Sequence, residues 1–278
     1  MKTTTFVYNC ISDNVGDLNS CPLDYFNFNF TKNIRVNIKE MRMPGRKKYY
    51  NDNMIFGGGG IISGRIKKMF RLLHDEKPKK CKIFAWGLGH NEATDKKTQY
   101  GRPSIQYFMP MFQLFGTRDY FQRKFHREKT AGDRYRYVPC VSCMNKVFDQ
   151  RIEKPIHPIV IYDHVNHFIP DSSRLHLPRM TNDHVKIEDV IKFLSSGELV
   201  VTSAYHGAYW AMLLNRKVIM IPWASRFYGF ERPVIKANFD DWQTYIDQAM
   251  SMSFDGYFTE CRRNNIKYYK EVKRLMYK

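Results

Sequence analysis

Residues 198–222 read Glu-Leu-Val-Val-Thr-Ser-Ala-Tyr-His-Gly-Ala-Tyr-Trp-Ala-Met-Leu-Leu-Asn-Arg-Lys-Val-Ile-Met-Ile-Pro. Two β-branched runs, Leu199 to Thr202 and Val218 to Ile221, flank an apolar segment, which is the composition of a strand, a buried helix and a second strand. Pro222 stops the second run. Gly207, Ala208 and Ala211 are small enough to let the helix lie close against a sheet. A strand–helix–strand unit of this kind is right-handed and binds ligands outside the carboxyl ends of its strands, where the helix N-terminus offers free N–H groups. Ser203, Ala204, Tyr205, His206 and Gly207 fall at that position, and His206 is the leading candidate for a proton-transfer residue.

The same theme extends in both directions. Upstream, Ile159 to Tyr162 reads as a buried strand that ends in Asp163-His164-Val165-Asn166-His167, and Val185 to Leu194 carries a helical apolar face. Three metal-ligand types in that loop are weak evidence for a metal, and none is expected. Thr3 to Tyr8 reads as a first strand followed by a polar loop with Asn14, Gly16 and Asp17. Further strands are expected near Ile34 to Ile38 and over Asn53 to Phe56, the latter running into Gly57-Gly58-Gly59-Gly60 and a helix over Ile62 to Leu73. Lys82 to Trp86 leads to Gly87-Leu88-Gly89-His90, where His90 is expected to be exposed. Met111 to Phe115 leads to Gly116-Thr117-Arg118-Asp119 and an expected helix from Tyr120 to about Phe125. Arg118 places a planar cation at the same sheet edge, suited to a carboxylate or phosphate, with an ion pair to Asp119 as its structural alternative. Tyr135 to Val138 closes this first set, and the boundary is placed near residue 150. The fold class is therefore α/β, with two Rossmann-like domains, 1–150 and 151–278, and a cleft between them.

The chain has 278 residues and a formal charge of +18, which predicts anionic partners: nucleic acid, lipid surface, or phosphorylated and carboxylated small molecules. Residues 1–10 lack the apolar core of a signal peptide and no apolar run is long enough to cross a bilayer, so a cytoplasmic protein is expected. Six cysteines in this length do not form a disulfide framework, and Cys140-x-x-Cys143 has no second pair to complete a zinc site. The tail from Thr259 to Lys278 reads as a basic amphipathic helix, with Ile266, Tyr269, Val272 and Met276 on its apolar side. Such a helix can pack on a neighbouring domain or rest on an anionic membrane.

Asn14-Val15-Gly16-Asp17, the Gly57 to Gly60 run followed by Ile61-Ile62, Gly87-Leu88-Gly89, Thr117-Arg118-Asp119 and Thr202-Ser203-Ala204-Tyr205-His206-Gly207 together resemble, in order, the motifs of the polysaccharide pyruvyl transferase family. The resemblance implies a GT-B-like fold and transfer of a pyruvyl group, as a ketal, from phosphoenolpyruvate to a sugar of a glycan or a lipid-linked oligosaccharide. No cofactor is implied. The family's last motif usually reads Ser-Arg-Leu-His-Gly, and here Ala204 and Tyr205 stand at its arginine and leucine positions. The resemblance makes His206 and Arg118 the catalytic candidates. Asn14, Gly16, Asp17, Gly58, Gly59, Gly60, Ser203, Tyr205, Gly207 and Arg226 become donor-binding candidates, with Arg226 or Lys217 able to replace the missing cation.

A GT-B nucleotide-sugar glycosyltransferase shares this architecture and is the principal alternative. The paired glutamates that often grip a donor ribose are absent, since Glu231 has Phe239 eight residues on. A basic nucleic-acid-binding protein, suggested by the aromatic and basic residues of 120–137, is disfavoured by the ordered glycine turns at strand ends. The sequence does not settle the oligomeric state.

Overall fold

A computed structural model describes residues 1–62, 66–91, 106–119, 134–150, 154–170 and 176–277. The expected helix from Tyr120 and most of the polar stretch 91–110 lie outside the described residues. The first sheet has six strands in the order β2-β1-β3-β4-β5-β6. These are β1 (Thr3–Tyr8), β2 (Lys32–Asn37), β3 (Asn53–Gly57), β4 (Lys82–Leu88), β5 (Phe112–Thr117) and β6 (Tyr135–Tyr137). The second has five in the order β11-β10-β9-β7-β8: β7 (His157–Asp163), β8 (Arg179–Thr181), β9 (Gly197–Thr202), β10 (Lys217–Met220) and β11 (Ile235–Lys236). Every pairing in both sheets is parallel, so all loops that leave the strand C-termini gather at one edge of each sheet.

The near-continuous apolar composition of the strands has a direct physical reading, because both faces of each sheet are buried. In the second sheet Val160, Tyr162, Val200, Val218 and Met220 enter one core, while Ile161, Leu199, Val201 and Ile219 enter the opposite one. The first sheet repeats the period-two alternation. Val7, Met54, Phe56, Ile83 and Ala85 pack on one face, and Phe6, Tyr8, Ile55, Phe84 and Trp86 on the other. Six α-helices are described: α1 (Val15–Leu18), α2 (Ile66–Glu76), α3 (Ile187–Ser196), α4 (Tyr205–Leu213), α5 (Ile246–Met250) and α6 (Tyr257–Tyr277). Every residue of α4 is buried, as its lack of a polar face requires.

Helix α6 ties the two halves together. Tyr257 and Cys261 join the core of the second sheet, whereas Tyr268, Val272 and Met276 join that of the first. Its buried face is Cys261, Asn265, Tyr268, Val272 and Met276, rotated from the expected one: Ile266 is 40% exposed. The reason is polar. Asn265 accepts a hydrogen bond from Trp86 Nε1 at 2.8 Å, and the Tyr268 hydroxyl donates to the carbonyl of Ala85. Two polar side chains thus enter the core because buried partners await them. No described helix is long and apolar enough to cross a membrane.

Candidate active site

The loop after β1 crosses to the second sheet's side of the molecule. Asn14 forms an isolated bridge with Asp183, Val15 N–H donates to Asn182 O at 3.2 Å, and His184 N–H donates to Asp13 O at 3.0 Å. Asn14 also caps α1, its Oδ1 accepting from Gly16 N–H at 2.9 Å. This crossing seats Gly16 directly against His206 at the N-terminal turn of α4. A Cβ built on Gly16 would lie 1.9 Å from His206 Nδ1, so glycine is required by close approach of the imidazole. The other ring nitrogen, Nε2, meets Cys140 Sγ at 3.4 Å.

Arg118 reaches the same place from the end of β5. Its guanidinium carbon lies 3.8 Å from the centroid of the Tyr205 ring, so a cation carried by the first sheet stacks on the residue next to His206. The guanidinium also presses on Gly89, where a Cβ would come within 2.3 Å of Arg118 Nε. Arg118 is 2% exposed, and its Nε and Nη1 are buried without hydrogen-bond partners among the described residues. The alternative of an ion pair with Asp119 is not what forms. Asp119 Oδ2 instead accepts from His90 N–H at 2.7 Å and meets His90 Nδ1 at 2.6 Å. His90, expected at the surface, is therefore buried, at 5% exposure, because the carboxylate holds both its backbone and its ring.

Arg226 completes the cluster from the turn after β10. Its guanidinium lies over Trp223 at 4.3 Å, and its Nε is buried without a partner among the described residues. Burial, together with the nearby charge of Arg118, pulls Arg226 down to about 10, and Asp17 partly opposes this. Burial and both guanidiniums hold the His206 imidazole well below the ordinary histidine range, so the ring is neutral at pH 7. Tyr205 is pushed upward by burial despite the cation on its face.

Several other candidates are engaged elsewhere. Ser203 Oγ accepts from His164 N–H at 2.9 Å and donates to the carbonyl of His167. Its own carbonyl accepts from Trp223 Nε1 at 2.8 Å, and Trp223 stacks on His167 with centroids 3.7 Å apart. Burial and Arg226 lower both His164, to about 4, and His167. Asp163, read with these histidines as a weak metal set, is committed to Arg179 and to Ile169 N–H. Gly207 is a packing glycine, since a Cβ there would meet Thr202 Oγ1 and Tyr162 Cδ1 at 2.4 Å. Around Gly58 and Gly60 the space for a Cβ is taken by Ser20 and Asn91, and Gly59 has φ +86°, a left-handed conformation suited to glycine. Asp17 accepts from Asn9 Nδ2 at 2.8 Å. Lys217 Nζ is bound to the carbonyl of Met252, which leaves Arg226 as the second cation beside Arg118.

The model of the polysaccharide pyruvyl transferase family matches residues 6–225. The chain belongs to this family. Members are transferases, and the residues brought together here all fall in or immediately after the matched region. No curated protein matches this chain at a significant level. Among solved structures, Staphylococcus aureus MnaA with UDP superposes with a TM-score of 0.55 at 12% identity, covering 98% of each chain. The glycotransferase of kitacinnamycin gives 0.53 at 8% identity, again over 98% of each chain. The wall teichoic acid polymerase TagF, in its H444N form soaked with CDPG, gives 0.51 at 9% identity over 99% of this chain and 88% of that one. At these identities the likeness concerns the fold, which is GT-B-like.

Proposed function

We propose that this member of the family transfers the pyruvyl group of phosphoenolpyruvate to a sugar of a glycan or lipid-linked oligosaccharide, forming a cyclic ketal. The observation that carries the reading is the pair of guanidiniums, Arg118 buried and Arg226 half-buried, which have inner N–H groups without a partner among the described residues and whose charges both act on His206. Two like charges held near each other out of water are costly, and a small ligand bearing both a carboxylate and a phosphate supplies opposite charge to both. The family arginine is Ala204 here, and Arg118 lies over the ring of the next residue, Tyr205, where it takes up that role.

The reaction then assigns work to each group. The donor methylene gains a proton and becomes a methyl group, C2 becomes electrophilic, and one sugar hydroxyl adds there. The bond from C2 to the phosphate oxygen breaks, and a second hydroxyl closes the ketal. One hydroxyl proton balances the methyl group and the other leaves with phosphate. His206 moves the proton to the methylene carbon. Its ring is neutral while the site is unliganded, and the donor's negative charge offsets the guanidiniums and draws a proton onto it. Arg118 and Arg226 hold the carboxylate and phosphate and stabilise the charge that develops on departure of phosphate.

A donor screen by thermal shift tests this. Phosphoenolpyruvate is expected to raise the unfolding midpoint, with the shift reduced in Arg118→Ala and Arg226→Ala. A rise with a UDP- or CDP-sugar and none with phosphoenolpyruvate would replace the reading with the glycosyltransferase one.

A second part of the proposal concerns the acceptor. Arg263, Lys267, Lys270 and Arg274 are exposed on α6, with Ile266 exposed among them. Near an anionic bilayer each such cation contributes roughly 1 kcal/mol, so this stripe suits docking beside a lipid-linked acceptor. Co-sedimentation with phosphatidylserine-containing vesicles is expected at low salt and is expected to fall at high salt and in the triple variant Arg263→Glu, Lys267→Glu, Lys270→Glu. Binding that ignores these charge reversals would remove α6 from the membrane role.

A further inference from the structure

Four buried side chains from two parts of the chain form a single directed line of hydrogen bonds ending on His206. Trp210 Nε1 lies 3.0 Å from Ser142 Oγ, Ser142 Oγ lies 3.3 Å from Cys140 Sγ, and Cys140 Sγ lies 3.4 Å from His206 Nε2. Direction follows from chemistry at one end. An indole N–H only donates, so Ser142 Oγ accepts from Trp210 and turns its own hydrogen to Cys140 Sγ. The sulfur, accepting from Ser142, keeps its S–H to give. Two acceptors are in reach, His206 Nε2 at 3.4 Å and Ser20 Oγ at 3.8 Å, and the imidazole is the nearer and the stronger base. Ser20 does not compete as a donor, because its hydroxyl is given to the carbonyl of Gly16 at 2.6 Å.

We infer that Cys140 and Ser142 are positioning residues that lock His206 in the tautomer with its proton on Nδ1, leaving Nε2 as the acceptor of the Cys140 thiol. The inference rests on the reading of His206 as the proton-transfer residue for its functional meaning, but the tautomer itself does not. A neutral imidazole has one donor and one acceptor nitrogen, and whichever is engaged fixes the other. Here Nε2 is engaged on the buried side. Nδ1 lies beside Gly16, where glycine keeps any Cβ out of the adjoining space. A proton drawn onto the ring by a bound anionic donor is then taken up at Nε2, the Cys140 S–H turning to Ser20 Oγ at 3.8 Å so that Nε2–H faces the sulfur, and Nδ1–H is the group the ring can give. The ring plane is fixed as well, by Trp210, whose centroid is 5.1 Å from that of His206, and by the Tyr209 hydroxyl, which donates to the Cys140 carbonyl at 2.8 Å. Burial and the two guanidiniums keep the ring neutral, so the contact with Cys140 joins a thiol to a neutral imidazole.

Two-dimensional proton–nitrogen correlation spectra of the full-length protein with labelled histidine report the tautomer of His206 directly, without substrate. In the wild type, Nδ1 is expected to show a pyrrole-type and Nε2 a pyridine-type nitrogen. The pattern is expected to persist in Cys140→Ser, whose hydroxyl donates in the same place, and to mix or invert in Cys140→Ala. Parallel assays are expected to show kcat lowered about tenfold or more in Cys140→Ala, with KM for the donor near wild type and kcat restored in Cys140→Ser. A His206 already in the Nε2–H form in the wild type, or a tautomer unchanged by Cys140→Ala in a folded protein, overturns the inference. The expected tautomer pattern in all three proteins, found together with no activity on phosphoenolpyruvate, would instead count against the proposed reaction and leave the line of hydrogen bonds standing.

Discussion

Replacing His206 with alanine is expected to lower turnover by roughly 10²–10⁴-fold, the usual contribution of a positioned acid–base group, while donor affinity stays near wild type. The separation follows from charge. In the unliganded protein the ring is neutral, held there by burial and by Arg118 and Arg226, so it adds little attraction for an anion. Its value lies in the proton it carries once the donor is bound. Steady-state kinetics with a direct binding measurement on the same variant check both halves. A variant that keeps full turnover would make His206 a structural residue, whose ring merely fills the space beside Gly16.

Arg118→Ala is expected to act on binding instead. Nε and Nη1 are buried and have no partner among the described residues, and a hydrogen bond to a charged group is worth about 1.5–3 kcal/mol, so loss of even one such bond weakens the donor by roughly 10–100-fold. Arg118→Lys is expected to recover only part of this, since an ammonium cannot present the planar fork. Any additional loss in kcat reports stabilisation of the departing phosphate. The variant also removes one of the charges that depress His206, so the His206 pKa in the free protein is expected to rise toward the ordinary histidine range. Because an unpaired buried cation is costly, the unfolding midpoint of the unliganded variant is not expected to fall, which separates lost binding from lost folding. An Arg118→Ala protein with unchanged donor affinity would remove this residue from the site.

What could be read from the chain divides along physical lines. The central strands were legible because burial on both faces demands uninterrupted apolar runs, as in Leu199 to Thr202 and Val218 to Ile221. The meeting of Arg118 with the His206 turn was legible too, since each follows the C-terminal end of a parallel strand. The edge strands Arg179–Thr181 and Ile235–Lys236 were not, being three and two residues long with half-exposed sides and so without a buried pattern to show. His90 was read as exposed because nothing local reveals its partner: Asp119 lies 29 residues away and approaches only once β4 and β5 pair. Cys140 is a similar case, a small apolar-seeming residue whose place beside His206 is set 66 residues away by α4. On α6 the apolar pattern pointed to Ile266 and Tyr269, but Asn265 and Tyr268 are buried because Trp86 and Ala85 satisfy them, a long-range fact that helical periodicity does not encode. The packing role read for Gly207 is seen in Thr202 and Tyr162, which fill its Cβ space, whereas the contacts of Ser20 with Gly58 and of Asn91 with Gly60 are long-range and no local pattern announces them.

The most direct test joins charge, donor and proton in one experiment: calorimetric titration of phosphoenolpyruvate into the protein near pH 7, repeated in buffers of different ionisation enthalpy. If Arg118 and Arg226 hold His206 neutral until an anionic donor arrives, binding takes up protons from the buffer, and the uptake disappears in His206→Ala while binding remains. Absence of binding, or binding with no proton uptake in the wild type, would contradict the coupling of these three residues on one donor.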